Sequence, residues 1–266
     1  MADVRQVICM KWGTLYGAEY VNRLYGMVKQ QTQGPLRFVC LTDDTAGVHP
    51  GVECLECPTV DLDPPYNRLP WRKLALWAPS EQLHGLTGNW LFMDLDVVVT
   101  GNIDDFFEYQ PEKMFVVMQN WTQEGQGIGN TSVFRFRIGC ATHLQENLRA
   151  RFQDLFGKYR NEQIFISREI EEMIYWPDDW CLLFKVHCVP MWPLNFFTTP
   201  YLPSTARVVA FPGSPNPHEA VVGEWPVTKA WKRLYKHTLP ADWISRIWAE
   251  AAVALGQSAD SAWAKI

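Results

Sequence analysis

The 266-residue sequence contains no run of about 18 apolar residues, so no membrane-spanning helix is expected. Its first residues, Met1-Ala2-Asp3-Val4-Arg5, carry no long apolar segment of the signal-peptide kind, which points to a cytoplasmic protein. Positive charge is not in excess. There are 24 lysines and arginines against 29 aspartates and glutamates, a net charge of −5, which argues against broad electrostatic binding to nucleic acid. Paired cysteine motifs are missing. The seven cysteines are scattered and odd in number, and Cys54-Leu55-Glu56-Cys57 is a lone C-x-x-C, so reduced thiols are expected rather than a zinc site or a disulfide framework. Two glycosylation sequons, at Asn120 and Asn130, carry no meaning in the cytosol. There is no internal repeat, low-complexity tract or clear linker, so one α/β domain is the simplest organisation. Aromatic residues are abundant, with 13 Trp and 14 Phe, and would fill a core before they served any ligand.

Apolar patterning predicts strands at Val4 to Met10, Leu36 to Leu41, Val52 to Leu55 and up to Asp94, with helices over Ala18 to Gln30 and Arg72 to Leu83 between them. The segment 61–70 is Pro-rich and irregular. This alternation predicts a mostly parallel, Rossmann-like sheet flanked by helices. Strands at 114–118 and 132–136 and helices at about 142–156 and 161–174 follow. Ligands of such sheets bind at the carboxyl ends of the strands. Lys11-Trp12, Thr42-Asp43 and Asp94-Leu95-Asp96 all fall at such ends, so three separate segments converge.

The stretch "NWLFMDLDVVVTGNIDDFF", residues 89–107, holds the sharpest chemical signal. A greasy run ends in Asp94 and Asp96, which point the same way in an extended chain. Adjacent carboxylates repel unless a cation or a proton lies between them. Hard divalent cations select such oxygen ligands and leave positions open for a diphosphate. Two enzyme classes fit on these grounds. One is a phosphatase of the haloacid dehalogenase type, in which the first aspartate is a nucleophile. That class places D-x-D after its first strand, whereas some 93 residues of alternating strand and helix precede Asp94 here. The other is a nucleotide-sugar transferase, with D-x-D in mid-chain.

Residues 72–107, "RKLALW…NWLFMDLDVVVTGNIDDFF", resemble glycosyltransferases of the GT-A fold, of the family-8 type that includes glycogenin and bacterial lipooligosaccharide galactosyltransferases. That family shows a K-L-x-x-W helix, a strand ending F-M-D-x-D, and then N-I-D-D-L-F. The resemblance is dense there and weaker to about residue 225. It implies a GT-A domain over 1–238 that transfers a hexose from a UDP-sugar to a hydroxyl of a glycan, lipid-linked glycan or protein. It also implies Mn²⁺ or Mg²⁺ dependence and retention of anomeric configuration, by front-face attack since no residue is an obvious nucleophile. Asp94 and Asp96 would hold the metal, and Lys73 would reach the phosphates or the donor sugar. Met10, Lys11, Trp12 and Tyr16 would lie near the nucleotide, and Thr42 and Asp43 near the uracil or ribose. Asn130-Thr131-Ser132 stand where the family has N-[ST]-G before a strand, a contact to the donor sugar. Glu162-Gln163 stand where the family has Asp-Gln beside the transferred sugar.

The sequence departs from the family at its late H-x-x-G-x-x-K-P-W segment, which here reads "AFPGSPNPH". Anchored on Gly213 and Pro217, the family's metal-binding His falls on Ala210 and its Lys on Asn216. His218 occupies the Trp position and is the candidate third ligand, with water as the alternative. The lost His also leaves open a non-catalytic carbohydrate-binding relative.

The tail 239–266 is expected to contain an amphipathic helix bearing Trp243, Ile244, Ile247 and Trp248 on one face. Lys229, Lys232, Arg233 and Lys236 cluster just before it among Trp231, Leu234 and Tyr235. Two roles stay open for residues 229–255. One is peripheral contact with the inner face of a membrane. The other is docking on protein, either the catalytic domain or a second subunit in a homodimer.

Overall fold

A computed structural model describes residues 4–60, 62, 66 and 69–259. Much of the Pro-rich stretch 61–70 and the last seven residues of the expected tail lie outside the described residues. The described chain clusters into two compact units. The first comprises residues 1–18, 34–95 and 105–176; the second comprises 19–33, 96–104 and 177–266.

The first unit is built on a seven-stranded sheet of strands β1 (Arg5–Lys11), β2 (Leu36–Thr42), β3 (Glu53–Glu56), β4 (Asn89–Met93), β6 (Phe115–Gln119), β7 (Gly129–Arg137) and β8 (Ile174–Tyr175). Their order is β3-β2-β1-β4-β7-β6-β8. β1 pairs in parallel with β2 and β4, and β2 with β3. β7 runs antiparallel to both β4 and β6, which makes the sheet mixed. Val7, Ile8, Cys9 and Met10 are all buried, as expected of an inner strand covered on both faces. Lys11 pairs with Thr42 at the carboxyl ends of β1 and β2. Val7 pairs with Leu91 and Ile8 with Phe92, and Asp94 follows the last residue of β4.

The helix expected over 72–83 is two 3-10 turns, Pro70–Trp77 and Ser80–Leu83. Pro79 between them cannot donate a backbone hydrogen bond, and Ala78 before it is extended, so the helix stops. The first turn still buries Trp71, Leu74 and Trp77 in the core and carries Lys73 inward. Helices α3 (His143–Lys158) and α4 (Glu162–Glu169) cover one side. α4 ends sooner than the apolar pattern to residue 174 predicted, because Ile174 and Tyr175 leave it to pair with β6.

The second unit contains a three-stranded sheet, β5 (Val97–Val99), β10 (Val208–Ala210) and β9 (Cys181–Leu183), in the order β5-β10-β9. It also holds α1 (Ala18–Gln30, from Glu19 on), the short α5 (Pro217–Val221) and α6 (Asp242–Ala254). α6 buries Trp243, Ile244 and Trp248, so the apolar face read from the sequence is covered by protein within its own unit. Part of that cover is α1. The Arg23 guanidinium lies 4.4 Å over the Trp248 ring, and a Cβ added to Gly26 would sit 2.7 Å from the Ala251 carbonyl oxygen. The absence of a side chain at Gly26 is thus what lets the two helices approach.

Candidate functional site

At the carboxyl ends of β1 and β2, Lys11 is nearly fully buried and donates to the Asp44 carbonyl at 3.2 Å, with the Asp44 carboxylate at 3.6 Å. The Thr42 hydroxyl accepts from the Asp44 amide at 3.1 Å, which fixes the turn. The Asp43 carboxylate accepts from the Gly13 amide at 3.1 Å and so ties the loop after β2 to the loop after β1. Met10 is buried, Trp12 packs half-buried on the core, and Tyr16 is half-buried in the same loop as Gly13. This loop pair is where the sequence placed the nucleotide contacts.

At the end of β4, Asp94 does not stand alone. Its amide donates to the Ser132 carbonyl of β7 at 2.9 Å. Lys73 Nζ lies 2.6 Å from one carboxylate oxygen and 2.7 Å from the other, and also donates to the Thr131 carbonyl at 3.2 Å. The Lys73 side chain is 7% exposed and that of Asp94 is 20%, so the pair is largely withdrawn from water. A carboxylate has about four lone-pair positions, so Lys73 leaves Asp94 able to accept further partners. Asp96 is half-buried and is the first residue of the second unit, the chain leaving the first unit after Leu95.

Behind Lys73, the Thr131 hydroxyl donates to Glu162 at 3.1 Å. Glu162 is 2% exposed. Burial pushes its carboxyl above the usual glutamate range, while the Lys73 ammonium and the Thr131 hydroxyl pull it back. Asn161 caps α4 by accepting from the Ile164 amide at 3.0 Å, which places Glu162 in the first turn. Gln163 follows, and its side-chain oxygen accepts from the Asn120 amide group at 3.3 Å. Asn130 is buried, its side-chain oxygen accepting from the Ser132 amide at 2.9 Å, and Ser132 is buried beside it. One connected set therefore unites Lys73, Asp94, Thr131, Glu162 and the Asn130–Ser132 strand start. The sequence named all of these, Thr131 only as the middle residue of the N-[ST]-G match. A threonine between two expected contact residues on a buried strand looks like an ordinary β-former, and only its hydroxyl contact distinguishes it.

In the second unit, His218 Nδ1 and the Tyr20 hydroxyl share a short hydrogen bond, and their rings meet edge to face at 6.1 Å. Burial raises the Tyr20 phenol well above its ordinary range, and the charges of Asp96, Glu19 and Glu219 add to the effect, opposed by Arg23. The phenol therefore stays protonated. From sequence Tyr20 was one apolar position on a helix face. Among the described residues, no group of three or more His, Cys, Asp or Glu side chains is assembled to hold a metal. The described cysteines are all free; Cys54 and Cys57 form no disulfide. No helix among the described residues is long and apolar enough to cross a membrane.

No protein-family model and no curated protein sequence matches the chain. Solved structures do. The galactosyltransferase LgtC, in complex with donor and acceptor sugar analogs, is similar at a TM-score of 0.56 and 11% identity, over 90% of this chain and 98% of that one. The glycosyltransferase GlyE of Streptococcus pneumoniae TIGR4 is similar at a TM-score of 0.56 and 14% identity, over 96% of this chain and 62% of GlyE. Mouse xyloside xylosyltransferase 1 is similar at a TM-score of 0.50 and 11% identity, over 80% of this chain and 99% of that one. The fold is the GT-A fold of glycosyltransferases, as the resemblance over residues 72–107 implied.

Proposed function

We propose, from this shared fold, that the protein transfers a hexose from a UDP-sugar to a hydroxyl acceptor with the help of a divalent cation. The observation that carries the proposal is the D-x-D segment closing β4 in the fold of enzymes that act on sugars, with Lys73 held against its first carboxylate. The donor set suits Mn²⁺ or Mg²⁺: Asp94 and Asp96 offer hard oxygens, two residues apart in the chain. His218, from the late segment that stands where the family carries its metal-binding His, is the proposed third ligand. For Nε2 to bind a metal, Nδ1 carries the proton and donates it to the Tyr20 oxygen, a partner of the kind that orients ligating histidines. A bound cation would neutralise charge on the departing diphosphate.

The chain's own residues do the rest. Lys11, Trp12 and Tyr16, with Met10 behind them, and Thr42 and Asp43 frame the nucleotide. Asn130 and Ser132 meet the donor sugar. Lys73, held against Asp94, offers its ammonium to the phosphates or the donor sugar. Glu162, with its carboxyl pushed toward the neutral form, is a better hydrogen-bond partner for a sugar hydroxyl than a nucleophile. Gln163, steadied by Asn120, lies next to it in the chain. With no exposed carboxylate offered as nucleophile in this set, retention would come from front-face attack, the acceptor proton passing to the leaving diphosphate. The phosphatase alternative calls for D-x-D at the end of the first strand of its core, whereas here the segment closes β4.

Thermal shift with UDP, GDP and CMP, each with and without Mn²⁺, tests the proposal. UDP at 100 times its Kd with Mn²⁺ should add about 2.7 kcal/mol of stability. GDP, CMP and UDP without metal should add far less. Equal responses to all three nucleotides, or turnover of a phosphomonoester without any nucleotide response, would refute it.

A further inference from the structure

A series of hydrogen bonds starts at the backbone of the loop between β6 and β7 and ends on Gln163, all within the first unit. The loop is folded on itself. The Asn120 amide donates to the Ile128 carbonyl at 3.2 Å, and the Gln123 amide donates to the Asn120 carbonyl at 2.8 Å. α4 is fastened to this loop. The Ser167 hydroxyl donates to the Gln163 carbonyl at 2.7 Å and accepts from the Gly129 amide at 2.9 Å, and the Arg168 guanidinium donates to the Gln126 carbonyl at 2.8 Å. Asn120 lies at the root of the loop and is 4% exposed. Its side-chain oxygen accepts from the Thr122 amide at 3.1 Å and from the Thr122 hydroxyl at 2.7 Å. Its side-chain nitrogen donates to the side-chain oxygens of Gln123 at 3.2 Å and Gln163 at 3.3 Å.

These contacts decide which way two side-chain amides face. A backbone N–H can only donate, so the atom of Asn120 turned to Thr122 is its oxygen. The atom turned to Gln163 is then its nitrogen. An NH2 group can only donate, so the atom of Gln163 that meets it is the oxygen. The setting of Gln163 is thus inherited from the Thr122 backbone through Asn120. Both donors and both lone pairs of the Asn120 side chain are used in the process. Gln163 itself is half-buried and follows Glu162 in the first turn of α4. Its NH2 group has no hydrogen-bond partner among the described residues, so what this amide leaves uncommitted is its pair of donors.

We propose that Asn120 is a positioning residue that turns the Gln163 NH2 group toward the transferred sugar, where it donates to a sugar hydroxyl oxygen. The proposal rests on the transferase reading above. Gln163 then selects and orients the sugar and does not attack it, because its oxygen already accepts from Asn120. Exchange of side-chain amide protons, followed by NMR on the full chain without ligand, tests the setting. The Asn120 NH2 protons should be protected and those of Gln163 should exchange freely, the two signals being identified by their loss in Asn120→Asp and Gln163→Glu. The reverse order overturns the proposal. Calorimetry with Mn²⁺ and UDP, UDP-glucose or UDP-galactose tests the contact. Asn120→Asp keeps both Thr122 donors but can only accept, so Gln163 turns its nitrogen inward and shows its oxygen. Gln163→Glu keeps the Asn120 contact and shows an oxygen directly. In both variants the ratio of UDP-hexose affinity to UDP affinity should fall about tenfold, as expected when an acceptor is left facing an acceptor. Asn120→Ala frees the amide to turn either way and should fall between the parent and Asn120→Asp. A residue that merely held the loop would make alanine the more harmful change, and that result overturns the proposal. So does a parent-like ratio in Asn120→Asp or Gln163→Glu, which leaves the transferase reading standing. A parent protein that binds no UDP with Mn²⁺ refutes that reading, and the sugar contact with it.

Discussion

Replacing Asp94 by alanine should do more than remove a metal ligand. Lys73 would keep its ammonium in a site where the residue is 5% exposed, having lost the carboxylate whose two oxygens lie 2.6 and 2.7 Å from it. Removing one member of a buried ion pair costs about 3–5 kcal/mol, mostly from the charge left behind. The Asp94 side chain retains 20% exposure, so the lower end, about 3 kcal/mol, is the better figure. At about 2 °C per kcal/mol for a chain of this size, the melting temperature should fall by about 6 °C. Lys73→Met should cost a similar amount, because it leaves the Asp94 carboxylate near Glu162 without a cation. The double variant removes both charges and should recover most of the loss. Urea denaturation of the four proteins gives the coupling energy, expected at about 2–3 kcal/mol. Asp96→Asn, nearly isosteric and outside this ion pair, should abolish the Mn²⁺-dependent response to UDP while stability changes by less than about 1 kcal/mol. A coupling below about 0.5 kcal/mol, or an Asp94→Ala protein as stable as the parent, would refute the argument that Lys73 and Asp94 form one buried unit.

Glu162 has its native carboxyl raised by burial, so the folded state holds a proton that the unfolded chain has released. Its contribution is fully present below the unfolded glutamate pKa of about 4.3 and is lost as pH rises through the raised native value. Glu162→Gln should therefore gain on the parent as pH rises through that window, measured as the difference in melting temperature across pH; a constant difference would contradict this. Gly26→Val forces a Cβ to within 2.7 Å of the Ala251 carbonyl oxygen and should cost about 1–3 kcal/mol by parting α1 from α6, visible in thermal melts. If His218 is a ligand, His218→Ala should weaken Mn²⁺ affinity by more than about tenfold and Tyr20→Phe by less, in metal titrations followed by calorimetry. An unchanged titration for His218→Ala would leave the histidine as a packing partner of Tyr20. Thr131→Val should lower turnover without changing UDP affinity, since it frees Glu162 but leaves the Lys73 acceptor, a backbone carbonyl, in place.

The sequence alone determined the features that depend on local pattern. Inner strands such as β1 and β4 read as unbroken apolar runs, α1 was found at its observed limits, and charge at the end of a greasy strand marked Asp94. Lys11 and Thr42 lie level because parallel strands align their carboxyl ends. What it did not reveal depends on groups far apart in the chain. The answer to what lies against Asp94 is Lys73, 21 positions earlier, carried in by a 3-10 turn that periodicity alone presents as a helix. Thr131 and Tyr20 acquire meaning only through Glu162 and His218, 31 and 198 positions away. The amphipathic pattern of α6 was legible but not what covers it. A 3.6-residue period shows that an apolar face must be buried, and only tertiary packing, here the gap left by Gly26, decides against what.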